Sequence, residues 1–227
     1  MKYDYKIASE SSVMLYFGKS IDPFVSKEVQ RAYKALKKAH HAALVEIIPS
    51  YASLMVTYDL AVLDYDGACA LIDTIVEHAP EIKEQEQKII TIPVYYGLDV
   101  GLDLELLSEE KKLSVDEIVR LHTQELYSVY AIGFAPGFAY LGQIDERLAT
   151  ARLANPRKSV PKGSVSIADR QTAVYPSKSP GGWKILGRTP TLMFDAKYQG
   201  LSLMHVGDLV RFEAISKERF LSLGGEL

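Results

Sequence analysis

From Ser128 onward this chain cannot hold one regular backbone conformation for long. The runs SVYAIGF, SVSIA, TAVYP, KILG, TLMF and LVRFEAI are rich in β-branched, aliphatic or aromatic residues, and proline or glycine separates many of them. Proline fixes φ and removes a donor, and glycine weakens both helix and strand, so long elements of either kind are excluded. Many short strands at turn-marked spacing form a closed β-barrel or a sandwich. One helix is expected just before this region. Ser114 and Glu117 make a capping box, and Val115, Ile118, Val119, His122 and Leu126 mark its inner face.

The first third has a different texture and reads as a doubled unit. Residues Tyr3 to Ala8 and Val13 to Phe17 suggest two strands around a serine-rich turn. Asp22-Pro23 then supplies an N-cap and a first helical position, followed by Phe24, Val25, Val29, Ala32, Leu36 and Ala39 at helical spacing. The pattern recurs with strands at Ala43 to Ile48 and Tyr51 to Tyr58. A helix follows, capped by Asp64 or Asp66 and stopped by Pro80. Two ββα units predict an α+β domain, an antiparallel sheet with both helices on one face. A ferredoxin-like arrangement that borrows a strand at Ile89 to Tyr95 is the competitor. The polar stretch Glu81 to Lys88 reads as a linker, which places the domains at 1–87 and 88–227.

A chain of 227 residues, 48% hydrophobic and 24% charged, is long enough to bury a core. No run approaches the ~20 apolar residues that a membrane span needs, and MKYDYKIASE has no apolar signal region. The expectation is a cytoplasmic protein with no membrane partner. The single cysteine, Cys69, builds no disulfide framework and falls on a helical core face with Ile72 and Val76. Net charge is −3, but residues 147–188 hold nine basic residues against one acid, Asp169, a local +8. A positive patch in an otherwise acidic chain suggests a small anionic ligand and no nucleic acid. A solvated basic face is the plainer reading.

The common catalytic signatures are absent: there is no phosphate loop, HExxH, GxSxG or CxxC, and the five histidines lack metal spacing. Ala135-Pro136-Gly137-Phe138 fits a type II turn with Gly137 supplying a positive φ, and Ser179-Pro180-Gly181-Gly182 repeats the pattern. The aromatics beside these turns, Phe134, Phe138, Tyr140 and Trp183, suit a pocket wall or an ordinary barrel corner equally well.

The run VYAIGFAPGFAYLGQIDERLATARLANPRKSVPKGSVSIADRQTAVYPSKSPGGWKILGRTP resembles the signature of the allophanate hydrolase subunit 1 family, which includes the sporulation-kinase inhibitor KipI and the B subunit of 5-oxoprolinase. IDPFV, VEIIPSYASLMVTYD and IPVYYG are similar to the family as well, so the likeness covers essentially the whole chain. The departure is at Gly97 to Asp103. There Gly97, Gly101 and Asp103 match a Gly-Gly-Glu-x-Gly-Pro-Asp pattern, and Leu98, Asp99 and Leu102 do not.

The resemblance implies a small α/β domain followed by a cyclophilin-like, mostly antiparallel β-barrel. It also implies work beside a homologous cyclophilin-like C subunit and an amidohydrolase-like A subunit, which together use ATP to open the lactam of pyroglutamate. A kinase inhibitor, or a component for allophanate- or urea-type amides, is the alternative. Lactam chemistry of this kind needs cations for phosphoryl charge and donors for a carboxylate. Arg157 and Arg188 offer forks, Lys162 a compact charge beside Gly163, and Gln171 an amide for a lactam edge. Phe134 and Gly137 complete the expected binding set. Lys162 and His122 are the catalytic candidates, His122 as the acid–base group because imidazole titrates near neutrality, although its apolar helix face suits a core histidine.

Overall fold

The computed structural model describes residues 3–81, 88–198 and 200–227. The chain divides into two compact units, Met1–Gln87 and Lys88–Leu227. Most of the polar stretch read as a linker, residues 82–87, lies outside the described residues.

The first unit contains β1 (Asp4–Ser9), β2 (Ser12–Tyr16), α1 (Pro23–Ala39), β3 (Leu44–Pro49), β4 (Ser53–Tyr58) and α2 (Tyr65–Glu77). Its sheet is antiparallel throughout, in the order β1-β2-β4-β3. The Asp22 carboxylate accepts from the N–H groups of Phe24 and Val25 at 2.8 and 3.2 Å, and Pro23 opens α1. Asp64 caps α2 through the N–H of Gly67 at 2.8 Å. Val25, Val29, Leu36, Ile72 and Val76 pack from the helices onto Val13, Leu15, Leu54 and Val56. Cys69 packs against this core, and burial raises its thiol pKa. The ferredoxin-like alternative fails, because β5 (Ile89–Val94) is not available to this sheet. It pairs in parallel with β13 (Leu209–Ala214) of the second unit.

The second unit adds β6 (Tyr127–Ile132), β7 (Ala139–Gly142), β8 (Arg157–Val160), β9 (Ser164–Ala168), β10 (Gln171–Val174), β11 (Ser179–Gly181) and β12 (Lys184–Arg188). Seven strands form one sheet in the order β12-β9-β10-β7-β6-β13-β5. Its two outer strands meet where Tyr95 and Arg188 exchange backbone hydrogen bonds, each 2.9 Å, so the sheet curls into a nearly closed barrel. The interior is filled by residues such as Ile92, Val129, Leu141, Val165, Ile167, Leu186 and Phe212. Among the described residues three α-helices accompany it where one was expected: α3 (Leu104–Lys111), α4 (Val115–Thr123) and α5 (Lys217–Ser222). Ser114 caps α4 as its sequence predicts. The other two are only eight and six residues long, too short for periodicity to reveal. Among the described residues no helix is long and apolar enough to cross a membrane.

The second Pro-Gly turn is a correction. Ser179–Gly181 is a strand paired with β8, and Gly181 lies under the Tyr175 hydroxyl, where an added Cβ would stand only 2.1 Å away. That glycine serves close approach rather than a reversal.

Asp103 ties these parts together. Its carboxylate is 2% exposed as a residue and accepts from Arg157 Nη1 at 2.9 Å, Arg157 Nη2 at 2.7 Å and the Ile185 N–H at 2.7 Å. Its own N–H donates to the Ile185 carbonyl at 3.0 Å. One residue thus joins the start of α3, β8 and β12. Removing one partner of a buried ion pair costs about 3–5 kcal/mol. Asp103→Ala should therefore lower the urea-unfolding free energy by roughly that amount, whereas a loss below about 1 kcal/mol would mean that the contact is not structural.

Candidate functional site

The barrel seam carries a small cavity of about 120 Å³, lined in part by Lys162, Arg188, Thr189, Thr191, Gly224, Gly225 and Glu226. Backbone geometry builds its walls. Gly163, at φ 80°, lies so close to Thr189 that a Cβ would stand 2.3 Å from the Thr189 carbonyl oxygen. The Thr189 N–H donates to the Gly163 carbonyl at 2.9 Å, and Arg188 Nε donates to the Lys162 carbonyl at 2.8 Å. The third wall arrives on α5, whose buried Phe220 packs on the Tyr95 ring at 5.6 Å between centroids. Lys162 and Arg188, 26 residues apart in sequence, are the expected site residues that this fold brings into one cavity.

Three other basic residues of the positive segment, Arg147, Arg157 and Lys184, are engaged by acids from outside it. Arg147 meets Asp145 at 2.7 Å and Glu117 at 3.6 Å. The Arg157 fork, expected to face a ligand, is closed on Asp103. Lys184, 5% exposed, contacts Glu110 and donates to Thr150 Oγ1 at 2.8 Å. Arg152 sits over the Trp183 ring at 5.8 Å. Acids spread through residues 103–145 of the sequence thus neutralise part of the patch in space.

Gln171 opens β10, whereas Gly163 bonds to Tyr175 just past its far end. Four residues of strand, about 13 Å, separate them. Gln171 therefore does not join Lys162, and its Nε2 is buried without a hydrogen-bond partner among the described residues. Gly137 sits in the predicted turn, and Phe134 directly precedes it. The Phe138 N–H donates to the Ala135 carbonyl at 2.9 Å, and Gly137 has φ 82°. Phe138, Tyr175 and Trp183 form a buried satellite core, so these aromatics make a corner. Phe134 stands 65% exposed beside it.

His122 is fully buried on α4, stacked on Phe212 at 4.6 Å. Its hydrogen-bond polarity follows from its neighbours. Thr172 donates its one hydroxyl hydrogen to the Ser166 carbonyl at 2.9 Å, so it accepts from His122 Nε2 at 2.8 Å. The bare Nδ1 then accepts from the Tyr96 hydroxyl at 2.7 Å. Burial holds this imidazole down at about 3. Both nitrogens are engaged inside the core, so the expected acid–base group is placed as an internal linchpin away from the seam cavity. The residues that sequence reasoning missed are its partners Tyr96 and Thr172, together with Thr189 and Thr191; isolated tyrosines and threonines carry no sequence signal for such roles.

A larger groove of about 730 Å³ lies in the first unit. Its lining includes Asp4, Asp73 and Glu77, and its Arg31 is held by Glu28 and by the carbonyls of Val76 and Ala79. That sign is wrong for an anionic substrate.

Residues 3–204 match the family model described as carboxyltransferase domain, subdomain C and D. A curated relative from Bacillus subtilis (strain 168), named as the B subunit of 5-oxoprolinase, is 34% identical over 97% of this chain and 96% of its own length. A Haemophilus influenzae protein of the same name is 35% identical over 90% of this chain and 94% of its own. Among solved structures, TTHA0988 superposes with a TM-score of 0.81 at 31% identity, over 90% of this chain and only 40% of that longer one. The Kluyveromyces lactis urea carboxylase shares the fold, with a TM-score of 0.74 at 14% identity over 97% of this chain and 22% of its own.

The depressed His122 pKa has a measurable consequence. Below the ordinary imidazole value of 6.5, the unfolded chain binds a proton that the folded core refuses. The full contribution is present above pH 6.5 and is lost as pH falls toward 3, by about 1.4 kcal/mol per pH unit. In denaturant titrations at about pH 7 and about pH 4.5, His122→Gln should lose less stability on acidification than the parent chain. Equal losses would show that His122 titrates freely.

Proposed function

Because the chain belongs to the family of the carboxyltransferase domain, subdomains C and D, we propose that it serves as the B subunit of a cytoplasmic, ATP-dependent 5-oxoprolinase that hydrolyses pyroglutamate to glutamate. The observation that carries this reading is the end-to-end match to a curated relative named for that role, which leaves no large part of either chain unaccounted for. Related barrels in urea carboxylase share only the fold.

The seam cavity fits a contributing role rather than a self-sufficient one. Ligand pockets for drug-sized molecules measure about 300–1,000 Å³, whereas this cavity holds about 120 Å³. It has room for an anionic group and none for a nucleotide. Lys162 and Arg188 supply positive charge to the substrate's oxyanions, and ATP supplies the driving force that lactam opening needs. A homologous cyclophilin-like C subunit and an amidohydrolase-like A subunit hold the remainder of the reactants.

The test is glutamate release from pyroglutamate and ATP by the purified chain, with and without its co-expressed partners. Glutamate should form only in the complete mixture. Lys162→Ala and Arg188→Ala complexes that still assemble should lose about tenfold or more in kcat/KM, the scale of one charged hydrogen bond. A correctly assembled mixture that releases no glutamate would overturn the reading and turn attention to kinase inhibition or another amide.

A further inference from the structure

We infer that the Lys162–Arg188 cavity is a binding site for a phosphate-class oxyanion. The inference rests on the reading above for its place in the reaction, as the seat of a phosphoryl group, but its geometry stands independently. The two cations face one cavity, and neither forms an ion pair with an acid among the described residues. Other cations of the positive segment, Arg147, Arg157 and Lys184, do. Arg188 commits Nε to the Lys162 carbonyl, which anchors the guanidinium and leaves its two terminal nitrogens for a ligand.

Thr189 adds a directional donor. It is 4% exposed, and its hydroxyl oxygen accepts from the Thr191 N–H at 3.1 Å. Its own hydrogen has no acceptor among the described residues, so it remains to be donated. The Lys162 ammonium, two Arg188 amino groups and the Thr189 hydroxyl are four donor groups, enough to use every lone-pair site of a planar carboxylate. A tetrahedral phosphate presents more acceptors and spreads them in three dimensions, toward a lining that holds two cations against one acid, Glu226. A volume of about 120 Å³ suits such a group. The walls are set in advance by the Gly163–Thr189 approach and the Tyr95–Arg188 closure, so little ordering accompanies binding. Glu226, also in the lining, opposes the anion.

Calorimetric titration of the full chain with inorganic phosphate and with acetate tests this. Phosphate should bind at one site, with acetate at least about tenfold weaker. Lys162→Ala and Arg188→Met should each weaken phosphate about tenfold or more, the scale of a charged hydrogen bond. Lys162→Ala should melt like the parent in phosphate-free buffer, and Glu226→Gln should tighten binding. Competition by ATP would name the nucleotide as the source of the phosphate, and lack of competition would name the free ion; either keeps the site. Equal binding of phosphate and acetate, or cation variants that bind like the parent, would overturn it. Phosphate binding in a complex that releases no glutamate keeps the site and removes the 5-oxoprolinase reading. Glutamate release by a complex that binds no phosphate here does the reverse.

Discussion

The barrel depends on one buried carboxylate. A charge removed from water must find compensating donors, and Asp103 finds three, two on Arg157 and one on the backbone of Ile185. The commitment has a local consequence: although Asp103 stands at the N-terminus of α3, it makes no side-chain cap there. What the helix start lacks, β12 gains. That strand is held by Asp103 through Ile185 and by Glu110 and Thr150 through Lys184. It is thereby positioned to present Arg188 to Tyr95 and close the seam.

Closure and site are therefore one piece of architecture. The backbone of Arg188 joins the barrel's ends, and its side chain charges the cavity at that join. The same logic explains the fate of the positive segment. Arg147, Arg157 and Lys184 are taken up in pairings with Asp103, Glu110, Glu117 and Asp145, while Lys162 and Arg188 gather at one cavity. A basic stretch of sequence becomes a much smaller focus of field once the acids brought in by folding are counted.

Much of this was legible in the residues. The doubled ββα unit followed from caps and alternating or helical periodicity, and the barrel from proline and glycine between short apolar runs. The glycines and aspartate of the Gly97 to Asp103 loop prove structural: a Cβ on Gly101 would stand 2.4 Å from the Leu186 carbonyl, and Asp103 holds β12. The positions that depart from the family pattern lie outward, Leu98 and Leu102 about half exposed and Asp99 paired with Lys217 at 2.6 Å. The site was less legible. Nothing local distinguishes Arg157 from Arg188, because each partner comes from a remote part of the chain. His122 was ambiguous for the same reason: whether an imidazole on an apolar face meets solvent or a threonine depends on a strand 50 residues away.

The strand order also constrains when the protein can exist during its synthesis. β5 is the first strand of the second unit to leave the ribosome, yet its ladder partner, β13, emerges more than a hundred residues later. Until then β5 shows unpaired edges and an apolar face. The first unit completes its own sheet and helices from local sequence much earlier. Contacts of such long separation close slowly, so the nascent chain passes through a stage with one finished domain and one exposed strand. A chaperone would find its substrate at that stage.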